Sequence, residues 1–139
     1  MPWRRVLAVV VVVVVAGSLS SCTAKPPPNA LRIPTVPQSG GTGGRLALLA
    51  GDLGGSTASG FACMWVSVGA QKTLVQWPHG WWAVPSPLRI VNSNGHVVAT
   101  YGDRVELGGA ALPSTTKFRG CAEGADGAFV AWTVKKVAH

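Results

Sequence analysis

The hydrophobic positions of this chain fall in short runs that glycine and proline interrupt, from Arg45 to the C-terminus. The clearest run, Phe61–Val68, is apolar on both alternating faces, which is typical of a strand that is buried on two sides. Residues 92–95 (Asn-Ser-Asn-Gly) predict a hairpin turn, because glycine readily adopts the positive φ that such turns need. No segment shows a convincing 3.6-residue repeat. The pattern therefore predicts an all-β domain.

Six or seven short strands are predicted, at a spacing of roughly ten residues. They cover residues 45–50, 61–68, 72–77, 88–91, 97–101, 104–107 and 127–137, with a loop over 110–125. Gly108 and Gly109 are expected to end the sixth strand, and in the last strand Val130, Trp132 and Val134 are expected to share one face. A domain of about 95 residues, 45–139, suits a small, partly open barrel of the OB or SH3-like type, or a compact sandwich.

The N-terminal residues have the organisation of a secretion signal. Two arginines precede an apolar run over residues 6–16, and the sequence Leu-Ser-Ser-Cys at 19–22 resembles the lipobox of bacterial lipoproteins. The run is shorter than the about 20 residues of a membrane-spanning helix. It therefore predicts a signal peptide over 1–21 and a lipid thioether on Cys22. The alternative is an ordinary secretory signal with a chance cysteine, and both interpretations place the mature domain outside the cytoplasm.

Residues 22–44 are predicted to be a tether between this lipid and the barrel. Five prolines between 26 and 37 favour a semi-rigid, extended chain, and the glycine-rich stretch 39–44 favours a flexible one. Such a tether would hold the domain a few tens of ångströms above the bilayer.

The chain has three cysteines, and lipid on Cys22 leaves two. In an oxidising compartment Cys63 and Cys121 then have one possible pairing, so they predict a disulfide. In the chain-entropy model, a disulfide that closes the long loop between these two residues stabilises the folded state by roughly 4 kcal/mol. A redox pair is the alternative, but redox pairs usually have C-x-x-C spacing. Metal binding by two distant cysteines without histidine partners is weaker still.

The formal net charge is +7, and loss of the signal lowers it to about +5. The basic residues are scattered, and no run exceeds two. They are read as ordinary solubilising charges, with attraction to anionic lipid or an anionic wall as the alternative. The location argues against a nucleic-acid partner.

Candidate catalytic chemistry is sparse. The acidic residues show no marked pair, the histidines lack the short-range partners of zinc sites, and no nucleophile motif is present. These residues are Asp52, Asp103, Glu106, Glu123 and Asp126, and His79, His96 and His139. The sequence therefore predicts no catalytic residue, no metal and no cofactor.

The local anomaly is Trp77-Pro78-His79-Gly80-Trp81-Trp82, with three tryptophans beside turn residues. Indole rings in a turn can face outward and stack on sugar rings, grip an apolar partner or lie at a membrane interface. Trp77, Trp81 and Trp82 are therefore the candidate ligand-binding residues. The alternative is that they fill the core of a barrel that has few other large side chains.

With its lipobox and its proline- and glycine-rich tether, the chain resembles small lipoproteins of unknown function from high-GC Gram-positive (actinobacterial) bacteria. The resemblance also rests on Trp77-Pro78, Gly102-Asp103, residues 105–109, Gly120-Cys121 and the closing run 130–134. It implies a location and a fold, but no mechanism. The expected function is a lipid-anchored, non-enzymatic β-domain at the outer face of the cytoplasmic membrane. Its partner would be a wall polymer, another envelope ligand or a membrane protein. An envelope enzyme with an unrecognised site and a purely structural accessory domain are the alternatives.

Overall fold

A computed structural model describes residues 24–37, 46–121 and 125–138. Within these ranges the chain forms eight strands and no helix, so the described residues include no membrane-spanning helix. The strands are β1 (Leu46–Ala58), β2 (Phe61–Val68), β3 (Gln71–Gln76), β4 (Trp82–Val84), β5 (Arg89–Val91), β6 (Val97–Thr100), β7 (Arg104–Leu112) and β8 (Gly127–Lys136). The signal peptide and the lipid site predicted at Cys22 lie outside the described residues.

Five of the strands form a closed barrel in the order β1-β2-β3-β8-β7. Neighbouring strands are antiparallel except β3 and β8, which run parallel. The prediction of a small all-β barrel is confirmed, and the sheet is closed rather than partly open. In a closed barrel each strand has a hydrogen-bonded neighbour on both sides. Closure therefore removes the free edge strands that commonly cause aggregation.

β1 continues to Ala58, beyond the strand predicted over residues 45–50, and Gly51, Gly54 and Gly55 lie inside it. Its first half pairs with β7 and its second half pairs with β2, and Asp52 belongs to both ladders. A side chain at Gly51 would overlap the Ser67 carbonyl oxygen, and one at Gly55 would meet the Met64 sulfur. The missing side chains therefore allow β2 to cross β1 closely.

The remaining strands form a small sheet, β4-β5-β6, inserted between β3 and β7. On one face of this sheet Ala83, Ile90 and Ala99 join the main core of the barrel. On the other face Trp82, Val84 and Val91 form a second apolar cluster against Ala24 and Ala30. The small sheet therefore separates the barrel from the start of the N-terminal segment (residues 24–37), whereas Arg32 further along pairs directly with Phe61 of the barrel.

The prediction that residues 24–37 are a tether is wrong. Leu31 and Ala83 exchange two backbone hydrogen bonds, and Ile33 is buried in the main core. Further along, the Val36 amide donates to the Trp77 carbonyl at 2.8 Å. Proline content suggested a free extended chain, but an extended chain can also pair with a sheet, and here it does. Residues 38–45 are not among the residues that the structure describes.

The main core contains only apolar side chains among the described residues. The predicted disulfide is present, because Cys63 in β2 is bonded to Cys121 in the connection between β7 and β8. The two residues are 58 positions apart and their Cα atoms are separated by 5.1 Å. The bond fixes the long connection to the outer face of β2.

A bulge in β8 changes which residues face the core. Gly108 pairs with Thr133 and Gly109 pairs with Ala131, so Trp132 is an extra residue in its strand. The strand alternation shifts there, and Phe129, Ala131 and Val134 pack against the core. The prediction that Val130, Trp132 and Val134 share one face is therefore wrong, as is the expectation that the paired glycines end β7.

Candidate binding groove

The three tryptophans of the turn, Trp77, Trp81 and Trp82, differ in how far they are buried. Trp77 is completely buried and Trp82 is 6% exposed, so both belong to the core. Trp81 is half-buried. The expectation of outward-facing rings is therefore wrong for Trp77 and Trp82, and only Trp81 offers part of its indole to a ligand.

A tight turn places Trp81 beside Trp77. The Trp81 amide donates to the Pro78 carbonyl, and Gly80 has a φ of 80°, which glycine adopts without strain. The two indole rings lie nearly parallel, with centroids 6.3 Å apart and planes inclined by 17°. Trp77 therefore supports one side of the Trp81 ring and limits its orientation.

Trp81 lies in a groove between the N-terminal segment and this turn. The groove has a volume of about 490 Å³, and Trp82, Leu31 and Ile33 contribute apolar surface to it. Three polar side chains also line it, namely Arg32, Thr35 and His79. Arg32 and His79 are exposed.

The N-terminal segment completes the groove and also fixes one of its polar groups. The Nδ1 atom of His79 lies 3.2 Å from the Val36 carbonyl oxygen, so the imidazole bridges the turn and the segment. Ligand sites in proteins are typically concave and apolar, with a few placed polar groups. The groove has this character, with an indole, a guanidinium, a hydroxyl and an imidazole.

Two other half-buried aromatic rings, those of Trp65 and Phe61, are already in contact with cations. The ammonium group of Lys72 lies 4.3 Å from the centroid of the Trp65 ring, and the Arg119 guanidinium lies 5.8 Å from that of Phe61. Such contacts are favourable, because the aromatic face attracts a positive charge. The Trp81 ring has no such cation among the described contacts.

The structure does not bring the titratable candidates together. His96 lies in the turn between β5 and β6, whereas Asp103 lies at the other end of β6. Asp103 accepts the Thr100 amide at 2.9 Å and pairs with Lys136 at 3.4 Å, so its carboxylate holds a turn. In the described ranges no three His, Cys, Asp or Glu side chains are grouped as metal ligands.

A second cavity was missed by the sequence analysis. It has a volume of about 580 Å³ on the outer face of the barrel, and Leu48, Gly108 and Trp132 are among the residues that line it. Leu46 and Leu48 are 83% and 75% exposed at its edge. The signal for it was present, because residues 46–49 are apolar on both faces. The cavity offers almost no polar group to orient a ligand.

Comparison of the chain with protein-family models, with curated proteins and with solved structures found no match.

Proposed function

We propose that this protein is a lipid-anchored, non-enzymatic domain at the outer face of the cytoplasmic membrane, and that it binds a wall glycan in the groove beside Trp81. On this proposal the chain belongs with the actinobacterial lipoproteins that its sequence resembles. The observation that carries the proposal is the half-buried Trp81 ring, which is supported by Trp77 and opens into a groove with three polar side chains.

The chemistry of the groove favours a sugar ring. A pyranose has apolar C–H faces, which stack on indole, and equatorial hydroxyl groups, which need hydrogen-bond partners at the edge. Arg32, Thr35 and His79 supply donors and acceptors around the groove. A purely apolar partner would leave these polar groups without compensation, so it fits the groove less well.

The lipid anchor is supported by the lipobox and by the short apolar run before it. We expect metabolic labelling with a fatty-acid analogue to modify the protein in an actinobacterial host, and Cys22→Ala to abolish the label. Label that persists in Cys22→Ala would contradict lipid attachment at this cysteine.

Glycan binding is tested by co-sedimentation of the purified protein with isolated cell walls and with chito-oligosaccharides as competitors. We expect Trp81→Ala to weaken binding about tenfold or more, which corresponds to about 1.4 kcal/mol. Trp132→Ala is the matched control, because this tryptophan is also half-buried but lies in the other cavity. Equal loss of binding in both variants would contradict a site at Trp81.

A purely structural accessory role is the second candidate. The burial of Trp77 and Trp82 favours it, because two of the three tryptophans serve the core. On this reading Trp81→Ala lowers stability and leaves the association with wall material unchanged.

A further inference from the structure

The N-terminal segment is attached to the small sheet at its first described residue. The Ala24 amide donates to the Ser93 carbonyl at 2.9 Å. The Ala24 side chain packs against the cluster of Trp82, Val84 and Val91. A Cβ added at Gly95 would lie 3.0 Å from the Ala24 Cβ. Ala24 is therefore held against the turn between β5 and β6, which we call the 92–96 turn.

This attachment limits how far the barrel can lie from a lipid on Cys22. Only Thr23 separates Cys22 from Ala24, and two extended residues span at most about 7 Å. A free tether over residues 22–44 would have allowed a few tens of ångströms. Because residues 24–37 are part of the fold, the 92–96 turn must remain close to the anchored cysteine.

We infer that the 92–96 turn, together with Lys25 and Val97, rests on the headgroups of the bilayer; this inference rests on the proposed lipid anchor. Lys25, Asn94 and His96 are exposed, and Val97 is 52% exposed. Residues 92–97 and 24–30 contain no acidic side chain, and Lys25 adds a positive charge, which anionic headgroups attract. The surface therefore matches an anionic lipid surface in its charge, its polarity and its distance from the anchor.

The same orientation places the groove beside the membrane. Pro26 lines the groove and lies only four residues after Cys22. On the other side, a side chain at Gly80 would contact the Ser93 Cβ at 3.4 Å, so the Trp81 turn adjoins the 92–96 turn. A glycan bound at Trp81 would then be one that is held at the membrane face.

The orientation is tested with the mature, acylated protein that begins at Cys22, in vesicles of phosphatidylcholine and phosphatidylglycerol that contain headgroup-nitroxide lipids. Asn94→Cys, Tyr101→Cys and Leu48→Cys each carry one environment-sensitive fluorophore. Tyr101 lies at the far end of β6, about 17 Å from His96 at the rise of a strand, and it is 57% exposed. Leu48 reports on the second cavity. Each variant must retain the melting temperature of the wild type.

We expect the nitroxide lipids to quench the label at position 94 several-fold more strongly than the labels at 101 and 48. Equal quenching at 94 and 101, on protein whose mass shows an acylated Cys22, would overturn the orientation and leave the anchor intact. Strongest quenching at 48 would also overturn it, and would assign the bilayer to the second cavity. A mass without acyl chains would overturn both the anchor and the orientation.

Discussion

Trp81 stacks on Trp77, and the two rings belong to different environments although only three residues separate them. Trp77 is completely buried, whereas Trp81 reaches the groove. The pair therefore links the apolar core to the candidate binding site. The pair also distinguishes the ligand-binding interpretation of the turn from the structural one, because the Trp77 ring and the Trp81 ring can each be removed by a separate substitution.

Trp77→Ala should lower the free energy of unfolding by about 3–5 kcal/mol, because it leaves a large cavity in the core. Trp77→Phe should cost clearly less, since the buried indole N–H of Trp77 has no hydrogen-bond partner among the described residues and its removal breaks no bond. Denaturant unfolding measures both. A loss in Trp77→Phe as large as that in Trp77→Ala would contradict the expectation that the buried apolar volume of Trp77 supplies most of its stabilisation.

Ile33→Ala should lower the free energy of unfolding by about 2–5 kcal/mol, because Ile33 is buried in the main core and its truncation leaves a cavity. The matched control in the same segment is Lys25→Ala, which removes an exposed side chain and should change stability by less than about 0.5 kcal/mol. Chemical denaturation of both variants checks this. An Ile33→Ala variant as stable as the control would restore the interpretation of this segment as a tether.

Joint replacement of Cys63 and Cys121 by alanine should cost about 2–5 kcal/mol, because the unfolded chain regains the freedom of a 58-residue loop. Thermal unfolding with and without a reductant measures the effect. The wild type under reduction should approach the stability of the double variant, and the double variant itself should not respond to the reductant. A wild type that is insensitive to complete reduction would contradict a stabilising role for the bond.

Gly109→Ala should destabilise the barrel by about 1–3 kcal/mol, because its new side chain would overlap the Val130 carbonyl oxygen at the bulge and force a backbone shift. The control is Gly127→Ala in the neighbouring strand, where the nearest atoms lie 3.7 Å from the added carbon. That variant should be neutral or slightly more stable, because alanine reduces the freedom of the unfolded chain. Similar losses in both variants would mean that the close approach at Gly109 is not the cause.

The sequence determined the class of fold, the disulfide and most of the strands. Hydrophobic alternation and turn residues are local properties, so β2, β6 and β8 could be read from neighbouring residues with small errors at their ends. The disulfide followed from the number of cysteines and the predicted compartment. The sequence also marked the tryptophan-rich turn as a candidate site, because three tryptophans within residues 77–82 are visible in the composition alone.

What the sequence left open was decided by contacts between distant residues. Gly51 and Gly109 lie inside strands because β2 and β8 approach them, and no local pattern reports that approach. Likewise, the proline-rich residues 24–37 would be free if they were isolated, but the outer face of the small sheet offers them an apolar surface and backbone partners. The same packing buries Trp82 and leaves Trp81 at the groove. Local composition specifies which residues are apolar, whereas only the tertiary arrangement decides which apolar surfaces remain for a ligand.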